Sequence, residues 1–191
     1  MIIKYHGHSC FSVISNGYTV VLDPYCGING LDDIALEANE VITSHNHKDH
    51  AFIEGVTITK AVSPFKVKRI LTYHDDVKGS KRGVNYITVL MAENKRIVHL
   101  GDLGHLLDED VINEIKDCDV FMIPVGGFFT IDASQAIKII ESVKPKNVIP
   151  MHYRDGNIGY DVLGTIDDFI QLYNKPCLLV RGYEEEVEII S

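Results

Sequence analysis

The amino-acid sequence predicts a single-domain α/β protein in which sheets pack together and helices lie outside them. Segments rich in β-branched and aromatic residues, which favour strands, dominate the first half of the chain. In the second half, buried strands alternate with amphipathic segments at helical spacing. The 191 residues fit one domain, 1–191, and 46% of them are hydrophobic, enough to bury a core. These observations indicate a layered architecture.

The first half of the chain is expected to form strands joined by turns. The strand candidates are CFSVI, YTVVLDP, EVITSH, VTITK, KRILTYH, NYITVLM and KRIVHLGD. The tripeptide SNG at 15–17 is typical of a hairpin turn. The one helical pattern expected in this half is LDDIALEAN.

The second half of the chain is expected to alternate strands with capped helices. Strands are predicted at DVFMIPV and NVIPMHY, and an amphipathic helix at LLDEDVINEIK. A second helix is expected in TIDASQAIKIIESVKPK, with Asp132 as N-cap, Gln135 as its capping-box partner and Pro145 at its end. A third is expected in TIDDFIQLYNKP, where Thr165 or Asp167 is the cap. The closing segment CLLVRGYEEEVEII predicts a hairpin.

The charge of the chain narrows its class of partner. Its formal net charge is −9, with 18 basic and 27 acidic residues. This argues against a general nucleic-acid binder, which needs a basic surface. It does not argue against a small anionic substrate, because a bound metal supplies local positive charge.

The cysteines and the ends of the chain indicate a cytoplasmic protein. Cys10, Cys26, Cys118 and Cys177 form no C-x-x-C pair, and we expect them to be reduced and mostly buried. The N-terminal segment lacks the long apolar stretch of a signal peptide, and no segment is apolar enough to span a membrane.

A dense cluster of metal-binding side chains occurs in TSHNHKDHAF at 43–52. His45 and His47 are two positions apart just after a strand, so their imidazoles can point to the same ion. Asp49 and His50 are adjacent, and irregular backbone would let them reach a second ion. Nitrogen and oxygen ligands without a nearby cysteine favour Zn, Mn or Fe.

The pattern H-x-H-x-D-H resembles the signature of the metallo-β-lactamase fold. Three further marks of that family follow later strands: His74 ends KRILTYH, Asp102 lies in VHLGDLGH and His152 lies in VIPMHY. The early aspartate of the family corresponds to Asp23 in VVLDP. Together with YHGHSCF and PVGGFFTIDA, these stretches look like the branch that includes L-ascorbate-6-phosphate lactonase and N-acylphosphatidylethanolamine-hydrolysing phospholipase D. The resemblance implies a four-layer αβ/βα sandwich with metals at one edge, between the sheets.

The resemblance also implies which side chains hold two divalent ions, with Zn first and Mn or Fe as alternatives. The implied ligands are His45, His47 and His74 for one ion, Asp49, His50 and His152 for the other, and Asp102 as the bridge. Asp75 is an alternative to His74. Asp23 is expected to accept an imidazole N–H and so fix the tautomer of a ligand.

The implied chemistry is hydrolysis by a hydroxide that two metals share. Asp49 would orient that hydroxide. His105 or His8 would donate a proton to the leaving group, unless these histidines only form structural hydrogen bonds. Three loop residues, Arg154, Phe128 and Lys81, are expected to contact the substrate; a solvated turn or a packing role is the alternative for each.

Two classes of function remain open. The first is a hydrolase that acts on a small molecule such as a lactone, an amide or a phosphodiester. The second is a metal-binding protein without hydrolytic turnover, such as a sensor or an assembly factor. A nuclease is disfavoured by the acidic charge. A homo-oligomer is compatible with the sequence, although no interface pattern predicts its state.

Overall fold

The computed structural model describes residues 1–175 and the backbone of residues 186–188. The strands are β1 Ile2–Gly7, β2 Cys10–Ser15, β3 Tyr18–Leu22, β4 Leu36–Ala38, β5 Glu40–Ile42, β6 Val56–Ile58, β7 Lys66–Tyr73, β8 Val84–Ala92, β9 Lys95–His99, β10 Val120–Pro124, β11 Val148–Met151 and β12 Glu186–Glu188. The α-helices are α1 Glu109–Ile115, α2 Ala133–Val143 and α3 Ile166–Leu172. The turn of the predicted C-terminal hairpin, around Gly182, and Cys177 lie outside the described residues.

The first sheet has the strand order β12-β1-β2-β3-β5. Its β2–β3 pair is an antiparallel hairpin in which Ser15 lies opposite Tyr18. Asn16 and Gly17 form the turn with φ of 50° and 75°, the left-handed conformation that a two-residue hairpin turn requires. The hairpin predicted from SNG is therefore confirmed. In contrast, β3 and β5 run parallel, so the chain crosses over between them.

The second sheet has the order β11-β10-β9-β8-β7. Its β7, β8 and β9 are antiparallel neighbours, whereas β10 runs parallel to both β9 and β11. Every residue of the inner strand β10 and of the edge strand β11 is buried, as expected for parallel strands that are covered on both faces. The parallel half of this sheet is the part where strands alternate with helices, as the sequence predicts.

Helices α2 and α3 begin at predicted caps. Asp132 accepts a hydrogen bond from the amide of Gln135, whose side chain accepts one from the Asp132 amide. This capping box starts α2, which ends at Lys144 in a left-handed conformation just before Pro145. Thr165, not Asp167, caps α3. No helix within the described residues is long and apolar enough to cross a membrane.

The predicted helix at LDDIALEAN does not form. Residues 36–38 instead make β4, which pairs in parallel with β6 to form a small separate sheet. A helix of about nine residues is marginal on its own, whereas pairing with β6 satisfies the backbone of this segment. The small sheet and the 24–35 loop pack on the outer face of the first sheet through a second apolar cluster that includes Tyr25, Ile34 and Val56.

One edge of the two packed sheets gathers the polar residues. The main core lies between the sheets and contains Val13, Val20 and Val98. Strands β5, β7, β9 and β11 each lead into one of the predicted metal-binding residues or segments, and β3 leads into Asp23, the predicted imidazole acceptor. The predicted site therefore lies at the edge where strands of both sheets end and continue into loops.

Candidate metal centre

The predicted metal ligands come together in three overlapping groups. In each group, the atoms that could bind a metal all lie within 4.8 Å of one another. The groups are His45, His47 and His74; His8, Asp49, His50 and His152; and His45, His50 and Asp102. All seven predicted ligands are present, and His8 is an additional member. The sequence predicts His8 as a proton donor or a structural histidine, and not as a ligand.

Asp102 lies at the centre of these groups. Its Oδ2 atom is 3.1 Å from Nε2 of His50 and 3.2 Å from Nε2 of His74. The Nε2 atoms of His152 and His45 follow at 3.4 and 3.9 Å. A single carboxylate oxygen is thus surrounded by four imidazole nitrogens, two from each sheet's loops, which is the position that a bridging ligand would occupy.

The chemistry of these atoms fits a bound metal. Among the described residues, the buried Nε2 atoms of His45, His50 and His152 have no hydrogen-bond partner, and neither does Oδ1 of Asp102. Buried polar atoms are costly without a partner, so each such case requires an explanation. Neutral imidazole nitrogens and a carboxylate are also the donors that Zn, Mn and Fe accept. The residues present therefore fit one or two divalent cations.

Asp23 orients two of the imidazoles from behind. Its carboxylate lies 2.9 Å from Nδ1 of His50 and accepts hydrogen bonds from both the amide and the hydroxyl of Ser44. Because the Ser44 hydroxyl donates its hydrogen bond to Asp23, the Ser44 oxygen accepts one from Nδ1 of His45 at 2.9 Å. These hydrogen bonds place a proton on Nδ1 of each ring, so Nε2 is the nitrogen that faces Asp102 and would face a bound ion. The predicted role of Asp23 as a hydrogen-bond acceptor is present, with Ser44 as an unexpected relay.

Asn85 holds the backbone at Asp102. Its side-chain oxygen accepts from the amide of Asp102 at 2.9 Å, and its Nδ2 donates to the carbonyl of Leu100 and to the hydroxyl of Thr72. Asn85 is fully buried on β8. The sequence offered one signal for this role, a polar residue inside an apolar strand pattern, which we did not recognise as functional.

The backbone around the cluster is strained. His8, Asp23 and His152 have φ of 53°, 46° and 53°, in the left-handed region that non-glycine residues rarely adopt. Such conformations cost about 1–3 kcal/mol each and concentrate at functional sites. The His8 carbonyl accepts from the His152 amide at 2.8 Å, so two of these strained residues support each other across the two sheets.

Burial and charge shift the pKa values of the cluster in opposite directions. Burial lowers the pKa of His45 to about 4, which keeps its imidazole neutral. Burial also opposes ionisation of Asp102, but the imidazoles of His152 and His50 outweigh this effect and hold the pKa of Asp102 well below its usual range. Burial opposes protonation of His50, but the charges of Asp102 and Asp23 outweigh it and raise the pKa of His50 well above its usual range. A cation bound beside Asp102 would therefore displace a proton from this pair.

Asp75 is not placed as a substitute for His74. Its carboxylate accepts four backbone N–H groups from the following loop, and these lower its pKa to about 2 although burial acts in the opposite direction. The four donors belong to Val77, Gly79, Lys81 and Arg82. Asp75 therefore organises the 76–83 loop, while His74 joins the cluster.

His105 does not join the cluster. Its Nε2 accepts from the amide of Tyr73 at 3.2 Å, and its Nδ1 lies 2.7 Å from the carbonyl of Leu106. Both ring nitrogens are thus engaged by the backbone, which matches the structural alternative for this residue. The neighbouring position 104 requires glycine, because a Cβ there would collide with the backbone of His74 and Asp75.

Two of the three predicted substrate contacts also point elsewhere. The ammonium of Lys81 is exposed and lies 3.3 Å from Asp76. The Arg154 guanidinium donates to the carbonyls of Gly156 and Leu163, so it binds its own loop. Sequence spacing could place these cations near the site but could not give the direction of their side chains. Phe128 is 63% exposed with φ of 57°, and its ring does not line the cavity described next.

A cavity of about 250 Å³ opens beside the ligand groups. It is lined by His47, Asp49, His74, Arg82, Asp102, Phe129 and Tyr160. Tyr160 donates its hydroxyl proton to Oδ2 of Asp49 at 3.3 Å, and burial together with Asp49 raises the pKa of Tyr160 above its usual range. The sequence interpretation did not single out Tyr160, although it recognised the loop that carries it.

Comparison with known proteins assigns the chain to a family. Residues 2–152 match the model of the beta-lactamase superfamily domain. UPF0173 metal-dependent hydrolases from Nanoarchaeum equitans and Desulforamulus reducens are 30% and 28% identical; each alignment covers 80% of this chain and 84% of the relative. A Thermotoga maritima crystal structure of the metallo-β-lactamase superfamily is 30% identical with a TM-score of 0.72, covering 91% of this chain and 86% of that chain.

These matches confirm the fold that the ligand motif predicted. The model match extends from β1 to His152, so it contains every strand of both sheets except β12 and every residue of the three ligand groups. The chain belongs to the beta-lactamase superfamily and, within it, to the family of UPF0173 metal-dependent hydrolases.

Proposed function

We propose that this protein is a hydrolase that uses two divalent metal ions to cleave a small neutral or anionic substrate such as a lactone, an amide or a phosphodiester. The observation that carries the proposal is the set of buried, unpartnered ligand atoms around Asp102 beside an open cavity. The names of the relatives support hydrolysis and metal dependence. The narrower resemblance to L-ascorbate-6-phosphate lactonase and the phospholipase stays a prediction.

The two ions would be shared between the sheets. His45, His47 and His74 would hold one ion, while Asp49, His50 and His152 would hold the other, with His8 in reach and Asp102 between them. When bound, such a pair of ions lowers the pKa of water toward neutrality and polarises the electrophile. Zinc is the first expectation, with Mn and Fe as alternatives; the Thermotoga maritima relative carries the description of a candidate Zn-dependent hydrolase.

The side chains of this protein would supply orientation and hydrogen bonds. Asp49 would orient the attacking water from its place on the cavity wall, where Tyr160 already donates to it. The raised pKa of Tyr160 keeps its hydroxyl protonated and makes it a weak acid, so it would act at the cavity as a hydrogen-bond donor to the oxygen that gains charge. Tyr160 replaces His105 in this role, because both nitrogens of His105 are engaged by backbone groups.

The alternative, a metal-binding protein without turnover, has less support. A purely structural metal site closes its coordination shell with protein ligands. Here the group formed by His45, His47 and His74 includes an exposed member, His47, and two of its members line the open cavity. A site with this access favours a reacting small molecule over a permanent metal clip.

The test is metal analysis of the purified protein followed by hydrolysis assays on lactones, amides and phosphodiesters. We expect His152→Ala to lower metal content and turnover together, by at least the roughly 10–100-fold that changes around metal ligands cause. His6→Gln is a matched control, because His6 bonds Ser12 at 2.8 Å outside the ligand groups; it should keep both properties. Full turnover after verified removal of the metal would overturn the proposal.

A further inference from the structure

The cavity beside the ligand groups has one permanently charged cation among the described residues that line it, Arg82. The other lining groups are metal ligands or the rings of Phe129 and Tyr160. The volume of about 250 Å³ is below the roughly 300–1,000 Å³ of pockets for drug-sized ligands. A small substrate that fills this space would therefore lie within reach of the Arg82 guanidinium.

The position of Arg82 is fixed from its backbone. Its amide and that of Lys81 both donate to Oδ2 of Asp75, at 2.8 and 2.9 Å. The loop is closed a second time where the amide of Gly83 donates to the carbonyl of Gly79 at 2.9 Å. A glycine-rich stretch that looks mobile by composition is thus held around a buried carboxylate, next to the metal-ligand residue His74.

The side chain of Arg82 is held over an apolar wall. Its Cζ lies 5.6 Å from the centre of the Phe129 ring, and its Nη2 donates to the carbonyl of Phe128 at 3.1 Å. Within the described part of the chain, no carboxylate lies within ion-pair distance of this guanidinium. The neighbouring Lys81, by contrast, already has Asp76 as a counterion.

An arginine that is oriented but lacks a counterion suits a planar or tetrahedral oxyanion. A guanidinium presents several N–H donors in a rigid fork, which carboxylate and phosphate groups accept two at a time. We propose that Arg82, backed by the Phe129 ring, forms an anion subsite, and that the preferred substrates carry a carboxylate or phosphate near the bond that is cleaved. This inference rests on the proposed hydrolase function and specifies its substrate class.

The experiment compares three versions of one lactone, bearing a carboxylate, a phosphate or a neutral carboxamide, with the metal-loaded enzyme. We expect Arg82→Gln to lower kcat/KM by roughly 10–100-fold for the preferred anionic version, the value of a charge-assisted hydrogen-bonded pair. For the carboxamide version, kcat/KM should change less than about twofold. For the preferred anionic version, kcat/KM of Arg82→Lys should lie between the values of the wild type and Arg82→Gln. Whichever anionic lactone shows the larger loss of kcat/KM in Arg82→Gln carries the group that Arg82 binds.

Lys78→Gln is the matched control, because it removes one positive charge from the same loop at an exposed position outside the cavity. It should leave kcat/KM for all three lactone versions nearly unchanged. Equal losses for the carboxylate and carboxamide versions in Arg82→Gln would show a structural role and overturn the subsite. Equal losses for Lys78→Gln and Arg82→Gln would show only long-range attraction and would also overturn it.

A second measurement separates the subsite from the hydrolase itself. Inorganic phosphate and succinate are titrated calorimetrically into the metal-loaded wild type and Arg82→Gln. Weaker binding in the variant supports the subsite even if no lactone is cleaved, in which case only the proposed function fails. Unchanged binding of both anions, together with unchanged hydrolysis of the three lactones, overturns the subsite and leaves the hydrolase intact.

Discussion

Individual hydrogen bonds decide which atoms of this protein are available to a metal. The hydrogen bonds to Asp23 and Ser44 place a proton on Nδ1 of His50 and of His45. Nε2 is therefore the nitrogen of each ring that can donate an electron pair to a metal. These hydrogen bonds fix the tautomer of both rings, which matters because an imidazole binds a metal only through an unprotonated nitrogen. The metal site is thus prepared before any ion binds.

Asn85→Ala should weaken both the fold and metal binding. The change removes the acceptor of the Asp102 amide and the donor to Leu100, and it leaves two buried backbone groups unpaired. We expect unfolding free energy to fall by about 2–4 kcal/mol and metal content to drop, measured by denaturant unfolding and elemental analysis.

Asn147→Ala is the control for that change. Its side chain also donates to a backbone carbonyl, that of Asp119, at 2.9 Å, but at the opposite end of β11 from His152. It should cost about 1 kcal/mol without loss of metal. If Asn85→Ala keeps its full metal content, then Asn85 does not position Asp102.

At the scale of elements, local signals predicted what local interactions control. Caps at Asp132 and Thr165 start α2 and α3 because a side chain replaces a missing backbone partner there. Asn16 and Gly17 make a turn because both tolerate left-handed φ. The segment at 36–38 was predicted incorrectly because β6, its pairing partner, lies far along the chain, and tertiary pairing outweighed the local helical pattern.

The site divides in the same way. The candidate ligands follow strand ends, and the motif at 45–50 together with the resemblance to the metallo-β-lactamase fold predicted them; the structure brings these residues close together. The direction of a loop side chain has no such signal. Arg82 faces the cavity and Lys81 does not. The Arg82 guanidinium contacts Phe128 and Phe129, whereas the Lys81 ammonium pairs with Asp76, and sequence spacing cannot reveal these contacts.

Asp75→Asn should loosen the 76–83 loop and with it Arg82. An amide side chain offers one acceptor oxygen, so at least two of the four backbone N–H groups lose their partner. We expect faster hydrogen exchange at residues 77–82 and a higher KM for anionic substrates. Asp76→Asn, at an exposed position that contacts only the Lys81 ammonium, should change neither; equal effects in both variants would contradict the prediction.

The pH dependence of the same loop follows from Asp75. Because its folded pKa is lowered to about 2 from an ordinary value of 3.8, its contribution to stability is present above pH 3.8. That contribution is lost as pH falls through about 2. Loop protection in the wild type should therefore persist down to about pH 3, well below the point at which an unperturbed aspartate would be protonated.

In the whole molecule, the ligand groups join the two sheets. The loops of the first sheet supply His8, Asp23 and the 45–50 segment, whereas those of the second supply Asp102 and His152. Direct contacts also cross this edge, from the amide of His152 to the carbonyl of His8 and from the amide of Tyr86 to the carbonyl of Ser44. Ions bound between the sheets would therefore act as cross-links between them.

Removal of the metal should lower the melting temperature without unfolding the protein. The core between the sheets needs no ion, and the ionised Asp102 keeps partners among the surrounding imidazoles. An ion that binds only the folded state, at about 100 times its dissociation constant, adds about 2.7 kcal/mol. For a chain of this size that corresponds to a shift of roughly 5–10 °C per ion.

Asp102→Asn makes the comparison specific, because the variant retains the shape of the bridge but loses its charge. Its melting temperature should respond much less to chelation than that of the wild type, when both are followed by calorimetry with metal content verified at each step. Phosphate-free buffer excludes binding at Arg82 as a cause of any difference. An unchanged wild-type melting temperature after complete metal loss would mean that the ions do not bind between the sheets, and the ligand assignment would then fail at its bridge.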